Sequence, residues 1–186
     1  MNYRKEKQPG LLERLTEYAG SDAYPFHMPG HKRREIPDGI PGGFPDPYGI
    51  DITEIDGFDN LHHAEGVLLE AQKKAEKLYG SEESHFLING STAGILSAVS
   101  ACAKKTVLIA RNCHKAVYHA ALIRNLDVYY VYPEIQEEFM LNGGINPADV
   151  ERSLEEHPEI EAVVITSPTY DGIVSDVKRI AEIAHA

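Results

Sequence analysis

TVLIARNCHKAVYHAALIRNLDVYYVY, running from Thr106 to Tyr132, is the stretch that decides the fold. Thr106–Ala110 is apolar without alternation, the pattern of a strand buried on both faces. His114 to Asn125 reads as a helix, and Asp127 to Tyr132 (DVYYVY) as the next strand. A strand, a helix and a strand in direct succession form a βα unit with parallel strands. Working outward, Ser84 to Ile88 (SHFLI) is expected to be a short strand. Thr92 to Ala103 is expected to be a small-residue helix packed tightly on both sides. Ala64 to Tyr79 reads as a helix stopped by Gly80 at its C′ position. Beyond Tyr132, Asn146 and Pro147 supply an N-cap and an N1 residue for a helix to His157. Glu161 to Thr166 (EAVVIT) reads as a strand, and a last helix begins at Asp176. The fold class is α/β: a largely parallel sheet with flanking helices, preceded by a Pro/Gly-rich N-terminal arm.

The arm is a different kind of sequence. After a short helix at Leu11–Tyr18, Ser21 to Asp59 holds Pro25, Pro29, Pro37, Pro41, Pro45 and Pro47, with Gly30, Gly39, Gly42 and Gly43. Such density breaks regular elements, while Tyr24, Phe26, His27, His31, Phe44 and Tyr48 are too many rings for a mere linker. The expected division is an arm over 1–63 and a sheet domain over 64–186. Four parallel strands leave an open sheet, and the last helix reaches Ala186 without a cap. The expectation is therefore part of a larger domain.

Composition narrows the function. The 186 residues are 42% hydrophobic and 25% charged, enough to bury a core, with a net charge of −11. That balance argues against nonspecific nucleic-acid binding, which needs clustered cations. No apolar run approaches a membrane span, and the first ten residues lack the apolar stretch of a signal peptide. Cys102 and Cys113 form no disulfide framework or zinc pattern, so a cytoplasmic protein is expected.

Four segments could carry chemistry. Ile88-Asn89-Gly90-Ser91-Thr92-Ala93-Gly94 lies between a strand and a helix, where Gly90 admits a ligand and Ser91 and Thr92 add hydroxyls to free N–H groups. That suits a phosphate or carboxylate, and equally an ordinary Ser/Thr cap. In Pro25-Phe26-His27-Met28-Pro29-Gly30-His31-Lys32, the two histidines are four apart, but Pro29 and Gly30 exclude a helix and no metal site is expected. A turn presenting His27, His31 and Lys32 to a pocket fits better, with a plain solvated turn as the alternative. Asp51, Glu54, Asp56 and Asp59 crowd one loop without calcium-loop spacing, as a solvated loop or a site for a cationic substrate. Finally, Arg111-Asn112-Cys113-His114-Lys115 and Thr166-Ser167-Pro168-Thr169-Tyr170-Asp171-Gly172 follow strands at the C-terminal sheet edge, where ligands bind in open α/β folds.

In order, PFHMPGHK, DITEIDGFDNLHHAEG, NGSTAGI, RNCHKA and TSPTYDG resemble the Orn/Lys/Arg decarboxylase family, from about Leu11 to Ala186. These are pyridoxal-phosphate (PLP) enzymes of the aspartate-aminotransferase fold. The resemblance implies that Gly90, Ser91 and Thr92 hold the PLP phosphate. It makes His114 the catalytic residue, stacked on the pyridine ring, and puts Thr169 beside the cofactor. His27, His31 and Lys32, with Asp51, Glu54 and Asp56, would help close the site, and a homodimer is implied. The reaction would be decarboxylation of arginine, lysine or ornithine to the amine, in polyamine metabolism, with PLP as electron sink. The family also requires a Schiff-base lysine in Ser-x-His-Lys and an Asp on the pyridinium nitrogen, both expected beyond Ala186. Lys115 follows the phosphate segment too early to be that lysine, so the chain alone is expected to be inactive. The alternative is a non-catalytic anion-binding or assembly module retaining the fold; amino transfer is disfavoured by the HMPGHK and acidic segments.

Overall fold

The computed structural model describes residues 9–33 and 47–186. Pro37, Gly39, Pro41, Gly42, Gly43, Phe44 and Pro45 of the arm lie outside the described residues. The chain divides into two units, Met1–Phe86 and Leu87–Ala186. The sequence changes character at 63/64, so the first sheet-side helix falls in the N-terminal unit.

In the first unit, α1 (Leu11–Ala19) and α2 (Val67–Tyr79) are the α-helices, with 3₁₀ turns at Pro47–Gly49 and Leu61–His63. Helix α2 stops where Gly80 adopts φ +67°, a left-handed conformation that a side chain would resist, and its N–H reaches Glu76 O. Its start is held by Asp59. One carboxylate oxygen accepts from Gly66 N at 2.8 Å and Leu68 N at 3.0 Å, the other from Asn60 N and Glu65 N at 2.9 Å each.

The second unit contains α3 (Gly90–Cys102), β1 (Thr106–Ala110), α4 (Lys115–Arg124), β2 (Asp127–Val131), β3 (Ile135–Gln136), β4 (Leu141–Asn142), α5 (Pro147–Glu156), β5 (Val163–Val164) and α6 (Val177–Ala184). The sheet order is β2-β1-β5, all parallel, with Thr106 opposite Asp127 and Leu108 opposite Val163. Central β1 is buried along its whole length, and Val107, Leu108, Ile109 and Ala110 have no exposed surface. Val99, Val117, Ala120, Val150 and Ile180 bring α3, α4, α5 and α6 into the same core. Asn146 and Pro147 start α5 as its spacing predicts, with Asn146 accepting from Ala148 N at 3.0 Å.

Two expectations are corrected, and one feature is new. Ser84–Ile88 is not a strand: it pairs with no neighbour among the described residues, and Phe86, Leu87 and Ile88 remain substantially exposed. Apolar, β-prone residues make a strand only where a partner satisfies their backbone. Helix α3 is not packed on both sides, since Val99 is its one buried residue and Ala98, Ala101 and Cys102 are exposed. Its small side chains cover little area, and one face borders a groove. The antiparallel pair β3–β4 was not anticipated, because two-residue strands leave no periodicity to read.

Glu161 stitches the sheet at its N-terminal edge. Its Oε2 accepts from Lys104 N and Lys105 N, each at 2.7 Å, and from Thr106 N at 3.3 Å. Those amides hold the carboxylate below its ordinary pKa, as the amides around Asp59 do for that group. A carboxyl whose folded pKa is depressed adds stability above its unfolded pKa of about 4, lost as pH falls through the folded value. The urea midpoint should therefore stay level from neutral pH to about pH 5 and fall below about pH 4. Glu161→Gln should lower the neutral midpoint and flatten part of the acid limb. An acid limb identical to wild type would show that the three amides do not discriminate charge.

Candidate functional site

Helix α3 begins at Gly90, whose φ of +64° turns the chain into the helix; a Cβ there would meet nothing within 4 Å. Asn89, the N-cap residue, makes no capping side-chain bond, and no acidic residue stands in the first turn. The other helices differ. His114, Asn146 and Asp176 cap α4, α5 and α6. In the first unit Glu13 and Asp59 take amides at the starts of α1 and α2. Among the described residues, α3 is thus the helix whose first turn no side chain satisfies. Its free N–H groups, the positive end of its dipole and the exposed hydroxyl residues Ser91 and Thr92 suit an anion.

A groove of about 490 Å³ runs along α3. Ile95, Ala98 and Cys102 line it from the helix, β5 with its flanking Ala162 and Ile165 from the sheet, and His114 and Thr166–Pro168 from strand-end loops. Ser91, Ile95, Ala98 and Cys102 are spaced by four, three and four, so they share one helix face. The face bordering the groove therefore leads back to Ser91 at the helix start. The structure brings His114 and the Thr166 loop to one groove. Thr169 is not part of that lining; it is buried, with its Oγ1 accepting from Ile173 N at 3.1 Å and its N–H donating to Ile173 O at 2.8 Å.

His114 is exposed and caps α4: its Nδ1 accepts from Ala116 N at 3.2 Å. The preceding turn is closed by Cys113 N donating to Ala110 O at 3.0 Å and tied to β2 by Arg111 N donating to Val131 O at 2.8 Å. Cys113 is buried, and desolvation pushes its thiol pKa up despite the Thr166 hydroxyl. Cys102 is exposed. A thiol reagent should accordingly label one cysteine of the native chain quickly, Cys102, and Cys113 only after denaturant is added. Two fast thiols in the native protein would contradict this burial.

In the N-terminal unit the histidine turn is held by its own contacts. Tyr18 Oη and His27 Nε2 lie 2.6 Å apart, Lys32 Nζ donates to His27 O, and Arg33 stacks over the Tyr18 ring at 4.6 Å. His31 stacks on Tyr48 at 4.2 Å and places Nε2 3.1 Å from Asp51 Oδ2. So the turn and the acidic loop do meet, through His31 and Asp51. Asp51, Glu54 and Asp59 line a second cavity of about 390 Å³, whereas exposed Asp56 does not. Thr53 donates to Glu54, holding its carboxyl below the usual range. The Cys113–Thr166 contact and the hold of Glu161 on the amides of 104–106 are not readable from the sequence, since the partners lie about fifty residues apart and leave no local signal.

The family model for the Orn/Lys/Arg decarboxylase major domain matches residues 9–186. The chain is 36% identical over 178 residues to the uncharacterized protein YaaO of Bacillus subtilis, covering 94% of this chain and 37% of that one. It is 27% identical over 186 residues to arginine decarboxylase of Halalkalibacterium halodurans, covering 98% and 38%. Among solved structures, constitutive lysine decarboxylase of E. coli superposes with a TM-score of 0.73 at 23% identity, covering 94% of this chain and 27% of that one. The chain thus spans less than two fifths of the length of these relatives.

Proposed function

The chain belongs to the Orn/Lys/Arg decarboxylase family, and on that premise we propose that it forms the N-terminal part of the major domain of a PLP-dependent enzyme decarboxylating a basic amino acid. The observation that carries the reading is the start of α3, left uncapped and open at Gly90. Free amides and two hydroxyls at a helix N-terminus fit a phosphate ester, so Gly90, Ser91 and Thr92 would hold that of PLP. Bound there, PLP would supply the electron sink for loss of CO₂. His114, at the groove, would stack on its ring, with Thr169 close by. The lysine that carries the cofactor is proposed to lie outside these 186 residues. A cytoplasmic homodimer is part of the same proposal.

Asp51, Glu54 and Asp56 are proposed to attract the cationic side chain of the substrate. Replacing all three by Asn, Gln and Asn should raise KM for that substrate by roughly a few-fold, since exposed, solvent-screened charges act weakly. An unchanged KM would leave them as loop residues only. The decisive test is to express the complete gene product with PLP and assay CO₂ release from arginine, lysine and ornithine. PLP-dependent release from one of them, with the matching amine as product, is expected; no release from any would overturn the proposal.

A further inference from the structure

His114 has a neighbour that no motif assigns. Cys113 Sγ lies 3.6 Å from Val164 O, to which it donates, and 3.6 Å from Thr166 Oγ1, which donates to it. Both partners sit on β5 or just beyond it, while the other flank of the same turn is tied to β2 through Arg111 N. The turn leaving β1 is therefore fastened to both neighbouring strands. His114 is the next residue, and it caps α4 twice: its ring Nδ1 accepts from Ala116 N, and its backbone O accepts from Val117 N at 3.0 Å. A neutral imidazole has one donor and one acceptor nitrogen. With Nδ1 accepting, the proton resides on Nε2.

We propose that Cys113 is a positioning residue for His114: its thiol, seated between the Val164 carbonyl and the Thr166 hydroxyl, fixes the β1–α4 turn so that a neutral, Nε2-protonated ring is presented at the groove. The chemistry favours a thiol at this place. The site is buried, and sulfur's longer bond and larger radius reach two partners at 3.6 Å, a separation too great for a hydroxyl to bridge. Raised by burial, the thiol stays protonated and keeps its donor to Val164. A loose turn would let the ring leave Ala116 and exchange its tautomers, and a ring that stacks on a heterocycle needs one fixed plane. The inference deepens the cofactor reading of His114 and takes its purpose from it, but its geometry needs no cofactor.

The test is nitrogen NMR of the histidine ring together with amide exchange at Ala116, in the wild-type chain and in Cys113→Ala, Thr166→Val and Thr166→Ser. Wild type and Thr166→Ser, which retains the hydroxyl donor, should show a single Nε2-protonated tautomer for His114 and a protected Ala116 amide. Cys113→Ala should average the two ring nitrogens and speed Ala116 exchange at least tenfold, and Thr166→Val should shift both readouts the same way by less. If Cys113→Ala is too unstable to fold, the Thr166 pair decides on the same two readouts. An unchanged tautomer and unchanged Ala116 exchange in the folded variants would overturn the proposal. Failure of the complete enzyme to bind PLP would overturn the cofactor reading instead, and the two failures are read in different experiments.

Discussion

Ser91→Asp should weaken PLP binding by the complete enzyme about a hundredfold while leaving the fold intact or slightly firmer. The two effects separate because a carboxylate in the first turn of a helix is favourable for the helix and hostile to a second anion. Helix α3 carries no acidic residue there and no capping bond, so an aspartate would gain about 0.3–1 kcal/mol from the dipole and the free amides. At the proposed phosphate site, the same change would remove a hydroxyl contact to a charged group, worth about 1.5–3 kcal/mol, and add repulsion. A loss near 3 kcal/mol is roughly a hundredfold in Kd. Titration with PLP and with inorganic phosphate, beside a thermal melt, reads both arms. Affinity unchanged with an aspartate in place would mean that the phosphate is held elsewhere. A lowered melting point together with weak binding would mean that Ser91 matters to the fold.

Leu108→Ala should cost the second unit about 3–5 kcal/mol, enough to leave much of it unfolded at 37 °C. Leu108 has no exposed surface and stands in the middle of the central strand, opposite Val163 on one side and Tyr129 on the other. A cavity there is walled by paired backbone on both flanks, and strands held in register collapse poorly around a void. Leu108→Met, of similar volume, should lose less than about 1.5 kcal/mol. Denaturant midpoints of the two variants check the claim; equal losses would mean that volume is not what matters at this position.

What was legible in the residues was local. Thr106–Ala110, Asp127–Val131 and Pro147–Glu156 formed as their patterns require, because an unbroken apolar strand and an Asn-Pro helix start are decided within a few residues. The family resemblance rested on the order of five motifs, and the family match over 9–186 bears it out. Ser84–Ile88 misled because β-propensity says nothing about whether an edge is on offer to pair with. At the candidate site the groove's two strand-end loops were anticipated from their place after β1 and β5. The cap formed by His114 was not, since histidine is seldom the residue expected there. Nor was the Cys113–Thr166 contact, which spans two strands of different sequence neighbourhoods and exists only once β5 has docked.

The strand order has a consequence for biosynthesis. Strand β1 lies between β2 and β5, but β2 follows it almost at once whereas β5 is made about fifty residues later. At roughly 5–20 residues per second, one side of this fully buried strand leaves the ribosome several seconds before its partner exists. During that interval Val107, Leu108 and Ile109 offer an unpaired parallel edge, the kind of surface that recruits another nascent chain or a chaperone. Slowing translation between Tyr132 and Glu161 would lengthen that exposure, so codon choice across this interval bears on yield even where every encoded residue is the same.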